Sequence, residues 1–353
     1  MGVRKVGIFG GSGYVGGELL RILLGHGGVE VAFVTSKRFE GKAVHKVHPN
    51  LRGLTDLKFS SPAIPEAAEL AELFFLALPH GSSAPFAAEL LKAGKRVVDL
   101  SADFRLKNGE EYERWYRWKH PFPELLREAV LGLPELHRDE IRGAQLVAVP
   151  GCMATAAILG LFPVVSKGLV NAEPIVIDAK IGSSGGGASP TLEGYHPERY
   201  GVVRPYQPVG HRHIAEIEQE VGSAAAGKVV VSFTPHAVNM VRGILCTIHA
   251  FQTRELENKD VWKAYRESYE GEPFVRLVKD PTILHGLPDP KVLAGSNYCD
   301  IGFELDEHAK RLVIFSAIDN LIKGAAGNAV QCMNLMLGEE ESKGLKSPGI
   351  HPV

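Results

Sequence analysis

The sequence predicts an α/β protein in which a doubly wound parallel-sheet domain is followed by an α+β domain. An apolar run, residues 3–9, enters a glycine-rich stretch that is followed by an amphipathic segment. Apolar runs then alternate with helical segments as far as Val149, which is typical of a parallel sheet covered on both faces. Beyond Cys152 most apolar runs alternate with polar residues, as the strands of a half-exposed mixed or antiparallel sheet do.

The composition is that of an ordinary globular protein and gives no reason to expect nucleic acid as a partner. Of the 353 residues, 45% are hydrophobic and 23% are charged, and the net charge is −2. The four cysteines are scattered, which argues against a disulfide framework or a metal site. No apolar run is long enough for a membrane span, and the early first strand leaves no room for a signal peptide. We therefore expect a cytoplasmic protein that binds no metal, membrane or nucleic acid.

The stretch Gly10-Gly11-Ser12-Gly13-Tyr14-Val15-Gly16 predicts a dinucleotide-binding loop of the Rossmann type. Glycines there permit a tight turn and a close approach to a pyrophosphate, while the following helix presents its N–H groups. The second strand, 29–34, ends in Thr35-Ser36-Lys37-Arg38 rather than in the acidic residue that an NAD site favours. Hydroxyl and cationic side chains suit a 2′-phosphate, so we expect NADP; a solvated basic turn is the alternative.

Two further loops should lie on the cofactor side, because ligands bind at the carboxyl ends of parallel strands. Strand 73–78 is followed by Pro79-His80-Gly81, and strand 96–100 by Ser101-Ala102-Asp103-Phe104-Arg105. Arg105 can hold a phosphate by two parallel hydrogen bonds, or can form only a surface salt bridge. The other elements expected before Cys152 are a helix at 84–92, an amphipathic helix with a proline-bounded loop in 107–127, and a strand at 146–149.

Cys152 is the candidate nucleophile. It follows a strand and a Pro-Gly turn, and it opens an apolar stretch, 156–165, that predicts a helix. Unpaired N–H groups and the positive end of the helix dipole favour the thiolate form at such a position. The alternative is a cysteine that serves only as a small buried apolar residue.

The second half of the chain supplies further candidate site residues. Gly182 and Ser183 follow a strand and form either a flexible turn or a contact with the cofactor. His211 and His213 stand at the start of a helix; no third ligand completes a metal site, so an acid–base role beside Cys152 is the better interpretation. Arg242 begins a strand and suits an anionic substrate. The expected strands are 174–181, 229–233, 243–251, 298–304 and 312–317.

The last predicted element is a turn and a small-residue helix that begins at Asn320 and includes Lys323. Small residues let a helix approach another backbone closely, so we expect this helix to return to the first domain and approach the cofactor. The predicted domains are then 1–151, an NADP-binding Rossmann-type domain completed by a C-terminal helix in 320–353, and 152–319, a catalytic and oligomerisation domain. The residues beyond 338 carry glycine, proline and charge, and predict a surface tail.

These motifs together resemble the N-acetyl-γ-glutamyl-phosphate reductase family, which is related to the aspartate-semialdehyde dehydrogenases. The resemblance runs from Val6 to about Gly338, and one departure is Met153-Ala154, where many members have Tyr-Pro. Four segments, 196–199, 208–216, 261–267 and 271–279, look like the lysine-biosynthetic branch of the family. The landmarks of the family as a whole are Gly10 to Tyr14, Asp99 to Arg105, Pro150-Gly151-Cys152, Gly210 to His213 and Asn320 to Gly324.

The resemblance implies an aspartate-semialdehyde-dehydrogenase-like fold and the NADPH-dependent reduction of an acyl phosphate to a semialdehyde. Cys152 would form a thioester, and His211 would move the proton, with His213 as the alternative. The lysine branch acts on 2-aminoadipate 6-phosphate carried by a small acidic amino-group carrier protein, and in some organisms on carrier-bound glutamyl 5-phosphate. A homodimer or homotetramer is also implied. The substrate would be bound by Ser101, Arg105, His213 and Arg242.

Several alternatives stay open on the sequence alone. The substrate is either carrier-linked or the N-acetylated compound of arginine biosynthesis, and its chain is aminoadipyl, glutamyl or both. Oxidation of a free aldehyde by the same cysteine would require a base for thioester hydrolysis. A non-catalytic NADP-sensing regulator is the alternative from another class, and the joint presence of Cys152, His211 and Arg105 argues against it.

Overall fold

The computed structural model describes residues 3–225, 227–280 and 282–352. The chain forms two compact units, Met1–Pro150 with Ala325–Ser347, and Gly151–Gly324 with Pro348–Val353. The first boundary thus lies one residue before the predicted one. The C-terminal segment differs more, because 320–324 and 348–353 group with the second unit rather than with the first.

Strands and helices alternate in the first unit, as the sequence predicts. Their bounds are β1 Arg4–Phe9, α1 Tyr14–Leu24, β2 Val29–Thr35, β3 Phe59–Ser60, α2 Ile64–Leu70, β4 Leu73–Leu76, α3 Ala84–Lys92, β5 Arg96–Asp99, α4 Gly109–Tyr116, α5 Leu125–Glu128, β6 Val130–Leu131, α6 Pro134–Gly143 and β7 Leu146–Ala148.

The second unit opens on a long helix and then consists mainly of strands. Its elements are α7 Cys152–Ser166, β8 Val170–Ile181, α8 His196–Arg199, β9 Val203–Pro205, α9 His213–Gly222, β10 Val231–Val238, β11 Ile244–Gln252, α10 Asn258–Tyr269, β12 Val275–Leu277, β13 Cys299–Asp306 and β14 Arg311–Ile318. A π-helical turn, Ile322–Ala326, then leads into α11, Gly327–Leu337, which belongs to the first unit.

The first unit is built on a parallel sheet with the strand order β3-β2-β1-β4-β5-β7-β6. The winding reverses between β1 and β4, so the crevice that binds ligands in such sheets lies at the carboxyl ends of these strands. Phe9 packs at the centre of an aromatic cluster, with ring centroids 5.2 to 6.2 Å from those of Phe33, Phe74 and Phe86. The predicted doubly wound sheet is confirmed.

The second unit is built on a mixed sheet with the order β12-β13-β14-β11-β8-β10-β9. Alternate residues of β8 and β11 are buried, for example Ile177 and Ile248, while their neighbours Asp178 and His249 are half-exposed. This pattern leaves one covered face and one open face, as the alternating sequence predicts. The helix α7 packs on the covered face against β8, β11 and β14 and is buried almost all round.

Several elements differ in extent from the prediction. The helix α7 already begins at Cys152, and β10 continues through Pro235 to Val238. Pro235 lies one residue before the ladder with β9, a strand of three residues that pairs with residues 236–238.

The predicted C-terminal helix in 320–353 is wrong in extent, because α11 ends at Leu337. Gly338 takes the left-handed conformation at φ +70°, and its N–H and that of Glu339 bond back to carbonyls of the last turn, the usual termination of a helix. The residues beyond are also more than a surface tail, since Leu345 is buried and Glu341 pairs with Arg138 at 2.7 Å. Among the described residues, no helix is long and apolar enough to cross a membrane.

Candidate active site

The glycine-rich loop of the first unit has the geometry of an anion cradle. Gly13, directly before α1, provides no side-chain cap, and a Cβ placed on it would meet no atom within 4 Å. Gly16 packs so closely on the loop that a Cβ there would lie 2.6 Å from the Gly11 Cα. Pro79, which follows β4 on the neighbouring strand, is exposed. The start of α1 therefore presents N–H groups to open space, as a pyrophosphate requires, and the loop fits a dinucleotide.

The end of β2 carries the residues predicted to contact a 2′-phosphate. The Ser36 hydroxyl is buried and donates to the Ser12 hydroxyl of the glycine loop at 2.9 Å. Lys37 and Arg38 are exposed, and the Arg38 guanidinium lies 5.1 Å from the centre of the Phe39 ring. The two cations thus stand in solvent next to a serine that is fixed to the loop.

Ser101 and Arg105, the predicted phosphate ligands, are both buried in the loop after β5. The Ser101 hydroxyl donates to the Asp99 carboxylate at 2.7 Å. The Arg105 Nε donates to the Val149 carbonyl at 2.9 Å, so this side chain ties the end of β5 to the end of β7. The surface salt bridge that the sequence left open for Arg105 is not what holds this side chain, which is only 5% exposed.

Cys152 is the first residue of α7 in the second unit, and it is partly exposed. The preceding Gly151 donates its N–H to the buried carboxylate of Glu216, on α9, at 2.6 Å. Gly324 packs against the cysteine, since a Cβ at 324 would lie 2.6 Å from the Cys152 Cβ. The position of the thiol at the helix start is therefore fixed from both sides.

His211 and His213 lie at the start of α9 with their ring centroids 4.6 Å apart, and both are buried. The main-chain N–H of His213 donates to the ring Nδ1 of His211 at 3.2 Å. A neutral His211 ring therefore carries its proton on Nε2. Burial, reinforced by the neighbouring Arg212 guanidinium, lowers the pKa of His211 to about 4. His213 Nε2 lies 3.9 Å from Glu216 Oε1. His211 is thus a neutral donor near pH 7.

Sequence reasoning missed two residues of this cluster. Glu216 lies three residues after His213 on the same helix face, a spacing that could have indicated the pair. Tyr206 packs edge-on against His211 with centroids 6.3 Å apart. Burial raises the pKa of the Tyr206 hydroxyl to about 12, and the negative charge of a Cys152 thiolate adds to the rise. No pattern around Tyr206 signalled this position.

The predicted cofactor contacts of the second unit lie together. The Asn320 side chain accepts a hydrogen bond from Gly243 N–H at 2.8 Å, across the loop that contains Gly182 and Ser183. The N–H of Gly182 donates to Gly243, and that of Ser183 to Met240. These two main-chain donors are therefore engaged within the unit, which leaves the Ser183 side chain for any contact with a ligand.

The two predicted cationic residues of the second unit have different surroundings. The Arg242 guanidinium is 29% exposed and lies 3.4 Å from the fully buried Asp319 carboxylate. Lys323 is fully buried, with its ammonium 6.0 Å from the centre of the Phe274 ring. Arg242 is thus accessible to a substrate anion, whereas the ammonium of Lys323 lies in the interior of the unit.

Comparison with known families defines the class of the protein. Residues 5–144 match the family described as "Semialdehyde dehydrogenase, NAD binding domain", and residues 152–320 match "Semialdehyde dehydrogenase, dimerisation domain". The fold is shared with aspartate semialdehyde dehydrogenase II from Vibrio cholerae, with a TM-score of 0.68, 18% identity and coverage of 95% and 98% of the two chains. For aspartate semialdehyde dehydrogenase from Candida albicans, solved with NADP, the TM-score is 0.68 and the identity is 16%, with coverage of 95% of this chain and 99% of that one. The protein is an oxidoreductase of the semialdehyde dehydrogenase class.

Proteins with higher sequence identity identify the family within this class. A protein of Pyrobaculum aerophilum, named as a LysW-L-2-aminoadipate/LysW-L-glutamate phosphate reductase, is 56% identical over 99% of this chain and 100% of its own length. A protein of Thermomicrobium roseum, named as a LysW-L-2-aminoadipate 6-phosphate reductase, is 53% identical with the same coverage. The chain belongs to this family of phosphate reductases, the lysine-biosynthetic branch that the sequence motifs indicated.

The low pKa of His211 predicts a loss of stability at acid pH. Because the unfolded chain takes up the proton near pH 6.5 and the folded chain only near pH 4, the free energy of unfolding falls as the pH drops between these values. From pH 7 to about pH 5 the wild type should lose about 2 kcal/mol more than His211→Gln, in which position 211 cannot titrate. Urea unfolding of both proteins at the two pH values measures this, and equal losses would contradict it.

Proposed function

We propose that this protein reduces a carrier-bound acyl phosphate to the semialdehyde, with NADPH as reductant and a thioester on Cys152 as intermediate. The acyl group is 2-aminoadipate 6-phosphate, with its amino group joined to a small acidic carrier protein, and carrier-bound glutamyl 5-phosphate is a further substrate. The names of full-length relatives that are 49% to 56% identical support this substrate class. The observation that carries the chemistry is the partly exposed Cys152 at the uncapped start of α7.

Cys152 acts as the acyl acceptor. Its thiolate attacks the acyl carbonyl carbon, a C–S bond forms, and inorganic phosphate leaves with the electron pair of the C–O bond. The first N–H groups of a helix have no acceptor within the helix, and in this proposal those of the first turn of α7 donate to the carbonyl oxygen as it becomes negative. The Gly151 N–H is excluded from this role because Glu216 already accepts it.

His211 donates a hydrogen bond to the reacting carbonyl oxygen and keeps its own proton. Its low pKa and its proton on Nε2 make it a neutral donor, and its ring packs in the same cluster as Tyr206 and His213. A neutral donor stabilises the carbonyl oxygen without placing a full charge in a buried site. His213, held near Glu216, serves to position the substrate.

The first unit holds the cofactor. The loop Gly10–Val15 and Pro79 would take the dinucleotide, and Ser36, Lys37 and Arg38 would take a 2′-phosphate. The nicotinamide, when bound, supplies the hydride that reduces the thioester. Gly182, Ser183, Asn320 and Lys323 belong to the same proposal, with Lys323 acting through its backbone or through packing because its ammonium is buried.

Ser101, Arg105 and Arg242 bind the anionic substrate in this proposal. A guanidinium can hold a phosphate through two parallel hydrogen bonds, and Arg242 is exposed enough to reach one. The protein assembles as a homodimer or homotetramer, supported by the match to a dimerisation domain and by the open sheet face with its half-exposed Leu245 and Phe315. A cytoplasmic location completes the proposal.

Replacing Cys152 by Ser should lower kcat by at least about a thousandfold, because a neutral hydroxyl is a far weaker nucleophile than a thiolate. NADPH oxidation with the acyl phosphate measures the rate, and mass spectrometry without NADPH detects the acyl-enzyme. The wild type should gain the acyl mass and Cys152→Ser should not. Cys299→Ala, a buried cysteine on β13, is the matched control that keeps activity. Turnover of Cys152→Ser near the wild-type rate would refute the assignment.

Replacing Lys37 and Arg38 by Ala should raise the Michaelis constant for NADPH by about tenfold and leave that for NADH almost unchanged, since only NADPH carries the 2′-phosphate. Steady-state kinetics with each cofactor measure both constants. Lys92→Ala, an exposed lysine at the end of α3, controls for the loss of surface charge. An equal effect on both cofactors would show that the two cations do not select NADPH.

The choice of substrate is tested by supplying carrier-linked aminoadipyl phosphate, carrier-linked glutamyl phosphate and N-acetyl-γ-glutamyl phosphate to the same preparation. We expect kcat/KM for the carrier-linked compounds to exceed that for the acetylated one by at least about tenfold, because the carrier adds contacts that an acetyl group lacks. Equal or higher kcat/KM with the acetylated compound would assign the protein to arginine biosynthesis instead.

A further inference from the structure

Asp103 lies in the loop after β5, between the two predicted phosphate ligands Ser101 and Arg105, and it is 1% exposed. Its carboxylate bonds to main-chain N–H groups. It accepts three main-chain hydrogen bonds from the loop after β4, at 2.6 Å from Gly81, 2.9 Å from Ser83 and 3.0 Å from Ala84. A carboxylate that collects three N–H groups is well solvated by the protein and makes strong, charge-assisted bonds.

The loop after β4 depends on Asp103 for its shape. Ala84 is the first residue of α3, and Ser83 before it provides no side-chain cap. Asp103 therefore caps α3 from another loop, with its negative charge at the positive end of the helix dipole. One more hydrogen bond runs between the two loops, from the Ala102 N–H to His80 Nδ1 at 3.0 Å. We call these four bonds the loop brace.

The loop that carries Asp103 is in turn held rigidly. The Ser101 hydroxyl accepts the Asp103 N–H at 3.0 Å and donates to Asp99. Burial, reinforced by the nearby Asp103 charge, raises the pKa of Asp99 to about 7. The Tyr112 hydroxyl donates to the Ala102 carbonyl at 3.1 Å. A shift of either loop is thus transmitted to the other through the hydrogen bonds of the brace.

We propose that Asp103 is a positioning residue that couples cofactor binding to acyl-phosphate binding. The strands β4 and β5 are neighbours in the sheet, and their following loops carry Pro79 on one side and Ser101 with Arg105 on the other. This inference rests on the proposed function, which assigns the first loop to the cofactor and the second to the phosphate. With the brace intact, a ligand that orders one loop also orders the other, and so favours binding of the second ligand.

The decisive variant is Asp103→Asn. The carboxylate accepts on both oxygens, from Gly81 on one and from Ser83 and Ala84 on the other. An amide has one acceptor oxygen, so its NH₂ group must face a main-chain N–H, and one side of the brace is lost. We expect the Kd for NADPH and the KM for the acyl phosphate each to rise by about tenfold, while kcat at saturation stays within about threefold.

Coupling is measured directly by titrating NADPH fluorescence with and without saturating inorganic phosphate, which stands in for the phosphoryl group. In the wild type, phosphate should lower the Kd for NADPH by about fivefold. In Asp103→Asn the ratio of the Kd without phosphate to the Kd with phosphate should approach one. Asp139→Asn, on the exposed surface of α6 in the same unit, is the matched control and should keep the wild-type ratio.

The outcomes separate this inference from the proposed function. A wild type that does not bind NADPH overturns the proposed function. A wild type that binds NADPH, with Asp103→Asn showing only a lower melting temperature and an unchanged ratio, overturns the brace. If Asp103→Asn does not fold, His80→Ala removes one bond of the brace from an exposed side chain and should lower the ratio as well. An unchanged ratio in that folded variant also refutes the coupling.

Discussion

The hydrogen bond from the Gly151 N–H to the buried Glu216 carboxylate fixes the point where α7 begins. That point sets the position of Cys152, and Gly324 closes against the cysteine from the other side. The Glu216 carboxylate also makes a thiolate at Cys152 less favourable, because two negative charges near the helix start repel each other. We infer that the hydrogen bond is favourable nevertheless, because an unpaired buried N–H would destabilise the start of α7.

The two histidines at the start of α9 lie in different surroundings. His213 lies beside the carboxylate, while His211 lies in apolar and aromatic surroundings next to Arg212. Burial lowers the pKa of His211 to about 4, so this ring is neutral at neutral pH. Within the motif Gly210-His211-Arg212-His213, the Arg212 charge adds to the effect of burial and further disfavours the charged form of His211.

Local signals in the sequence were enough to predict the parallel sheet, the glycine loop and the cysteine at a helix start. Each depends on residues that are adjacent in the chain: an apolar run, a turn and a change of periodicity. The partners of these features could not be predicted. Asp103 accepts hydrogen bonds from a loop about twenty residues away in the chain, and Glu216 accepts one from a glycine 65 residues away. Contacts at such separations produce no periodic pattern in the sequence. The C-terminal helix occupies only Gly327–Leu337 of the predicted segment 320–353, because a π-helical turn precedes it and Gly338 follows it.

The path of the chain between the two units has a consequence for biosynthesis. The first unit comprises Met1–Pro150 and Ala325–Ser347, and α11 from its second segment is buried throughout, with Asn328 donating to the Gly132 carbonyl at 2.6 Å. During translation the whole second unit up to Gly324 emerges before this helix is made. The nucleotide-binding unit therefore starts first, and it is completed only after residues 151–324 of the second unit have been made. A nascent chain arrested before α11 exposes the apolar surface that this helix covers on α1 and α6, and that surface is a target for chaperones.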